Sequence, residues 1–296
     1  MKTRGVLGAC VVAGGLLAAT AIHCSSETKA DAGPDGAADT GPAGDAGVPC
    51  DDAGCPNGLT CCSSKCVSLK SVGHCGSCGS ACAAGQFCTG SACKDSVLSN
   101  LCEDPKATLA LDGLANDDDA GGILGASLAG CDAGITLRTV LSADAGGVLG
   151  AGGQPALGGG DTLVTAGGPY FQPPVQYMET SLTSIFVQVV NNGNQVQVIE
   201  RKTQNKIVDQ PVTALTATHD FFLVQMAVEP TTSTLAFMGY GLYSPGTAAM
   251  AWYVKNTLVP GRASYTDRWY VYEWTDADMS GGPSANDTWT KVASGK

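Results

Sequence analysis

Ten of the chain's 14 cysteines fall within the 44 residues from Cys50 to Cys93, and this packing constrains the fold more than any other feature. They stand at Cys50, Cys55, Cys61, Cys62, Cys66, Cys75, Cys78, Cys82, Cys88 and Cys93. Between them the only large apolar side chains are Leu59, Val67, Leu69, Val72 and Phe87, too few to build a core. Cross-links must therefore stabilise this stretch, as in other small exported domains. Each bridge contributes about 2–4 kcal/mol by restricting the unfolded chain. Zinc is the rival use for a spacing such as Cys75-x-x-Cys78, and it would prevail only in a reducing compartment. Spacing alone leaves the pairing open.

The N-terminus decides the compartment. Lys2 and Arg4 precede an uncharged apolar run, and small residues follow at Ala18, Ala19 and Ala21, the layout of an export signal. The uncharged stretch from Gly5 to Ile22 is short for a spanning helix and interrupted by glycine, so a permanent transmembrane anchor is the weaker reading. Ala19-Thr20-Ala21 fits ordinary signal-peptidase cleavage. Ala21-Ile22-His23-Cys24 reads instead as a bacterial lipobox, although His23 replaces the usual small residue. Parity favours the lipobox. Beyond the signal, Cys102 and Cys131 bring the ten to twelve, an even number, and leave Cys24 as the odd thiol. Cys24 is thus the expected lipidation site, and a diacyl group would suffice for stable membrane anchoring. Ser25 behind it resembles the residue that lets lipoproteins proceed to an outer membrane. The expected location is the outer membrane or cell surface, with the periplasm second.

Residues 1–23 are accordingly read as a signal peptide and 24–49 as a disordered linker of Ala, Gly, Asp and Pro that cannot bury enough apolar surface to order itself. Residues 50–94 form a disulfide-rich module. Its runs Gly58-Leu-Thr-Cys-Cys-Ser-Ser-Lys-Cys, His74-Cys-Gly-Ser-Cys-Gly-Ser-Ala-Cys and Gly85-Gln-Phe-Cys-Thr-Gly-Ser-Ala-Cys resemble the Stig1-type cysteine-rich repeat, a module common in lipoproteins of myxobacteria and their relatives. That resemblance implies a surface interaction module and brings no set of enzymatic residues. Ser71-Val-Gly-His departs from the turn that often precedes the next cysteine of such repeats.

Residues 100–296 are long enough for one domain with its own core. A helical pattern runs around Ala120–Leu128, bracketed by Cys102 and Cys131 as an expected disulfide, and a second helical pattern around Thr136–Leu141. Thr162–Ala166 reads as a strand, and Pro173-Pro174 opens a helix to about Thr180. Ser184–Val190 and Gln195–Arg201 alternate in period 2 around Asn191-Asn-Gly-Asn194, a hairpin signal. Phe221–Val228, Leu235–Gly239 and Trp269–Trp274 read as strands, and Thr247–Leu258 as the clearest helix. The expected fold class is a small disulfide-rich module followed by an α/β domain with a mixed sheet. Two strand–turn–helix units, Leu163–Pro169 and Leu235–Val254, resemble two segments of archaeal-type S-layer domains. Neither turn carries a G-x-G-x-x-G or P-loop pattern, so both read as tight structural turns.

Candidate chemistry is sparse. Asp276, Asp278, Ser280, Gly282 and Asp287 fall at positions 1, 3, 5, 7 and 12 of a loop with Gly281 at position 6, a spacing that suits Ca2+. Ser at position 5 and Asp at position 12 weaken that match, and an acidic solvated turn is the competing reading. Asn116-Asp-Asp-Asp119 reads as a helix N-cap. Only His74 and His219 survive processing, and no G-x-S-x-G occurs, so no catalytic residue is assigned and His219 is read as a strand-entry residue. Net charge −11 is the wrong sign for nucleic acid. The chain is thus expected to be a non-enzymatic lipoprotein with a structural or binding role, its partners the membrane and an envelope polymer or protein, with no cofactor beyond a candidate Ca2+. A secreted hydrolase using carboxylates such as Glu179, Glu200, Glu229 or Glu273 is the alternative.

Overall fold

The structure, a computed structural model, describes residues 48–50, 54–56, 58–131, 134–142 and 146–296. The signal, Cys24 and nearly all of the linker lie outside the described residues.

All twelve cysteines from Cys50 to Cys131 are paired. The bridges are Cys50–Cys61, Cys55–Cys66, Cys62–Cys78, Cys75–Cys88, Cys82–Cys93 and Cys102–Cys131. The zinc alternative at Cys75 and Cys78 therefore falls, since each thiol is spent on a different partner. Six bridges also place the described chain in an oxidising compartment. The module itself is two small sheets: β1 (Val48–Pro49), β2 (Thr60–Cys62) and β3 (Lys65–Val67), then β4 (Gln86–Thr89) and β5 (Ala92–Asp95). It packs on the rest of the chain. Phe87 lies in the same apolar cluster as Leu98, Leu101 and Tyr265, and Val72 N–H donates to Ser233 Oγ at 2.9 Å.

The remainder is the expected mixed sheet. Its elements are β6 (Lys106–Leu111), α1 (Ala115–Ala129), β7 (Thr136–Leu141), β8 (Asp161–Ala166), α2 (Pro173–Ser181), β9 (Ile185–Val190), β10 (Gln195–Glu200), β11 (Lys206–Pro211), β12 (His219–Glu229), β13 (Thr234–Gly241), α3 (Ser244–Tyr253), β14 (Trp269–Thr275) and β15 (Thr288–Gly295). Seven strands form the central sheet in the order β15-β14-β12-β13-β8-β6-β7, and β9, β10 and β11 form a separate antiparallel meander. Strands β7, β6, β8 and β13 run parallel, and β12, β14 and β15 join antiparallel.

Period-2 alternation buries both faces of the sheet. Phe222, Val224, Met226 and Phe237 point to α1 and α3, whereas Phe221, Leu223, Met238 and Tyr240 point to α2 and the meander. Thr136–Leu141 is a strand and not the expected helix. Its six residues pair in parallel with Lys106–Leu111, so sheet register overrides the weak local pattern. The α3 helix starts at Ser244 and ends in a wider π turn over Val254–Leu258, so the helix expected at Thr247–Leu258 changes winding at its end.

Candidate functional site

Successive parallel strands β6, β8 and β13 each run directly into a turn and a helix, so three strand-to-helix turns open at one edge of the sheet. From β6 the chain returns to β7 on one side, while β8 lies on the other, so the strand order reverses between β6 and β8. Ligands of open α/β sheets lodge at the carboxyl ends of strands where the order reverses. Buried Gln172 holds this edge. Its Nε2 donates to the carbonyls of Ala110 at 3.2 Å and Ala166 at 2.8 Å, the ends of β6 and β8, and its Oε1 accepts from Ser142 Oγ at 3.0 Å.

Two carboxyls meet there. Asp112 directly follows β6, Asp117 lies in the first turn of α1, and both lean on the backbone of Gly167 just after β8. A Cβ at Gly167 would stand 2.6 Å from Asp117 Oδ2 and 3.0 Å from Asp112 Oδ2, and the backbone takes φ +100°. Only glycine leaves room for the pair and accepts that torsion without strain. Asp117 is 8 % exposed, and Asp112 Oδ2 is buried with no hydrogen-bond partner. Burial, a hydrogen bond shared with Asp112 and repulsion from Asp112 and Asp118 push the Asp117 carboxyl up to about 7. Near neutral pH the Asp117 carboxyl is therefore about half protonated, its proton shared in the hydrogen bond with Asp112.

Beside Asp117 opens a cleft of about 310 Å³, near the lower end of the range typical of ligand pockets. Tyr170 and Phe171 from the β8 turn and Tyr243 from the β13 turn form its rim, at 62 %, 62 % and 58 % exposure. Val187, Val189 and Leu242 line its wall. Tyr170 also closes the edge of the meander, its hydroxyl accepting the Val189 N–H at 3.1 Å, while Glu179 Oε2 accepts that of Val187 at 3.1 Å. The free edge of β9 is thereby protected from pairing with another chain.

The carboxylates named from sequence are engaged elsewhere. Glu179 is buried, pushed up to about 7 by desolvation against hydrogen bonds from Tyr240, Val187 and Gln225. Glu229 accepts from Gln154 Nε2, Tyr177 Oη and the Thr232 N–H and hydroxyl. Glu200 accepts from the Thr203 hydroxyl. His219 opens β12, as read, with Nε2 at 2.8 Å from Glu273 and Nδ1 at 3.1 Å from the Ala214 carbonyl. Burial opposes its charge, but the bonds to Glu273 and Ala214 prevail and raise its pKa. Asp220 is fully buried and accepts the N–H groups of Phe221, Tyr243 and Gly246, which satisfies the N-terminus of α3 from a neighbouring strand. Burial pushes its carboxyl up to about 7 against those three bonds.

The Asp276–Asp287 loop does bring Asp276, Asp278 and Asp287 within 4.8 Å of one another. All six carboxylate oxygens, however, accept hydrogen bonds from within the protein: Asp276 from the N–H groups of Ser280 and Gly281, Asp278 from Ser280, Ser284 and Asn286, and Asp287 from Trp274 Nε1 and Ser284. Hydrogen bonds from Ser280, Asn286 and Ser284 hold the Asp278 carboxyl down to about 2. Ser280 Oγ donates to the Gly282 carbonyl at 2.9 Å, so Gly282 offers its oxygen inward to the loop. The donor set suits a hard cation, and the loop also closes on hydrogen bonds alone. Asn116–Asp119 lies inside α1 and does not cap it. The N-cap is Leu114, without a side-chain bond, and Asp112 and Asp118 instead accept the Leu114 and Gly113 N–H groups.

No local motif marks Asp112, Tyr170, Phe171 or Tyr243, and Asp117 stands where the sequence suggests only a cap. The one available signal is the pair of strand–turn–helix units: Tyr243 lies in the second, and Tyr170 and Phe171 directly follow the first. No protein family, curated protein or solved structure matches this chain.

Proposed function

We propose that this chain is an exported lipoprotein, acylated on Cys24, that binds an envelope ligand in the cleft at the carboxyl edge of β6, β8 and β13. The resemblance of residues 50–94 to a Stig1-type surface module and of the strand–turn–helix units to S-layer segments supports an envelope role, as do six disulfides behind an export signal. The observation that carries the binding reading is the cleft. Three exposed aromatic side chains border a cleft lined by buried Asp117, which has no ion-pair partner among the described residues. Aromatic rims and depletion of simple charge mark recognition surfaces.

The experiment has two parts. Cells expressing the protein are fed radiolabelled palmitate, and label that disappears in Cys24→Ser is expected; equal labelling of both overturns the anchor. Purified envelope is then sedimented with the protein, and Tyr243→Ala together with Tyr170→Ala is expected to reduce co-sedimentation at least tenfold. Undiminished co-sedimentation rejects the cleft.

The Asp112–Asp117 pair is also the one observation favouring a carboxylate hydrolase. Its members stand within hydrogen-bonding reach. Glycoside hydrolysis instead uses carboxyls about 5–5.5 Å or 6.5–9.5 Å apart, with room for a sugar or a water between them. A proton-sharing dyad of the acid-protease kind fits the spacing better, but the pair lies against the Gly167 backbone, and only Asp117 of the two lines the cleft. Binding without turnover is the better account. Envelope polymer degraded by the native protein and left intact by Asp117→Asn would reverse that order.

A further inference from the structure

We propose that the cleft receives a primary ammonium group, with Asp117 as its counter-ion and Tyr170, Phe171 and Tyr243 as its walls. The inference rests on the binding reading above and supplies the class of ligand.

What the site lacks identifies the guest. Asp117 is more than nine-tenths buried, lines the cleft and receives no backbone N–H, hydroxyl or cationic donor among the described residues; it shares a hydrogen bond with the carboxyl of Asp112, and that of Asp118 is nearby. Among the described residues the ion pairs lie elsewhere, at Lys94–Glu103, Arg138–Asp161, Lys206–Asp209 and His219–Glu273. Asp112 accepts the Leu114 N–H on its other oxygen, but a buried carboxylate such as Asp117 that receives no such donor is costly, and such groups are normally paired. A cationic partner answers that lack, and an ammonium provides three N–H donors, of which Asp117 can take one or more.

A metal ion fits poorly. Calcium needs six to eight hard oxygens, whereas this cleft offers one carboxylate among valine, leucine and aromatic side chains. Those walls suit an organic cation, whose charge is attracted to aromatic faces and whose carbon stem packs against them. A volume of about 310 Å³ accommodates a short stem and not a folded domain. Net charge −11 attracts cations to the surface as a whole.

Binding is then linked to protons. The titratable groups around Asp117 are Asp112 from the end of β6, Asp118 from α1, Tyr240 from β13, and Tyr170 and Tyr243 from the two turns. Of these Asp117 changes charge near neutrality. An ammonium favours ionised Asp117, so it expels that proton, and affinity rises as pH goes from about 6 to about 8.

The test uses the purified mature protein and isothermal titration with three probes: n-butylamine, a chitosan oligomer with free amines, and the fully N-acetylated chitin oligomer. The first two separate a free amine from a polymer-borne one. The chitosan oligomer is expected to bind at least about tenfold more tightly than its acetylated counterpart, as for the loss of one charge-assisted hydrogen bond. Asp117→Asn should remove that preference, and Tyr243→Ala should weaken both oligomers. Tighter binding of butylamine than of chitosan would assign the site to small amines. Equal binding of both oligomers, unchanged in Asp117→Asn but lost in Tyr243→Ala, overturns the ammonium and leaves the cleft as a binding site. No heat with either amine also overturns it, and envelope co-sedimentation then reports separately on the cleft.

Discussion

Replacing Asp117 with asparagine is expected to stabilise this protein at neutral pH, an unusual outcome for a buried polar residue. In the folded state its carboxyl titrates at about 7 against an ordinary value of 3.8. Because the folded value is the higher one, between pH 4 and 7 the native state holds a proton that the unfolded chain has released. Stability must then fall as pH rises through that window, and it levels off above about 7. A difference of about three pH units at 1.36 kcal/mol each makes the ionised pair cost at most about 4 kcal/mol at pH 7. Asparagine has nearly the same shape, carries no charge, and brings an N–H to the unpartnered Oδ2 of Asp112. Burying its amide returns about 1–2 kcal/mol of that gain, which leaves about 2–3 kcal/mol. In urea, with disulfides intact, this moves the unfolding midpoint upward by about 1 M at pH 7.5. At pH 4.5 the Asp117 carboxyl already holds its proton in the folded protein, and the shift should be much smaller. A variant less stable than the parent at pH 7.5, or one stabilised equally at both pH values, refutes the shared-proton pair. Stability gained by removing Asp117, combined with loss of ligand, is the pattern of a side chain kept for binding at the expense of stability.

Asp220→Ala should cost about 2–4 kcal/mol, because it strips the acceptor from three N–H groups at Phe221, Tyr243 and Gly246; Asp220→Asn should retain most of the stability, and an alanine variant melting with the parent removes the capping role. Opening Cys102–Cys131, which spans 29 residues around α1, should cost about 3–4 kcal/mol by loop entropy, measured by denaturant unfolding of the doubly Ser-substituted chain. In the Asp276–Asp287 loop the hydrogen bonds already occupy every carboxylate oxygen, so about 5 mM Ca2+ should leave the thermal midpoint unchanged; a rise that Asp278→Asn abolishes would establish a weak extracellular-type site. Glu273→Gln should lower the pKa of His219, read by NMR titration of its ring protons. The folded value is raised above 6.5, so the pair's support is complete below that pH and is lost as pH climbs through the folded value.

Sequence by itself determined the elements whose signals are local. Ten crowded cysteines behind an apolar leader already required bridges, because five large apolar residues cannot form a core. Asn191–Asn194 between two alternating runs specified the β9–β10 hairpin, and Pro173-Pro174 and Ser244-Pro245 set the starts of α2 and α3 through their fixed backbone torsions. Strands β6, β7, β11 and β15 were not legible. Lys106–Leu111 is two-thirds alanine and leucine, Thr136–Leu141 reads locally as helical, and each becomes a strand through partners distant in the chain. The candidate site belongs to that second category. Asp112, Asp117, Gly167, Tyr170 and Tyr243 span more than a hundred residues of sequence and share no motif. They meet because three parallel strands end at one edge of the sheet, and the desolvation that perturbs Asp117 arises only once that edge is packed.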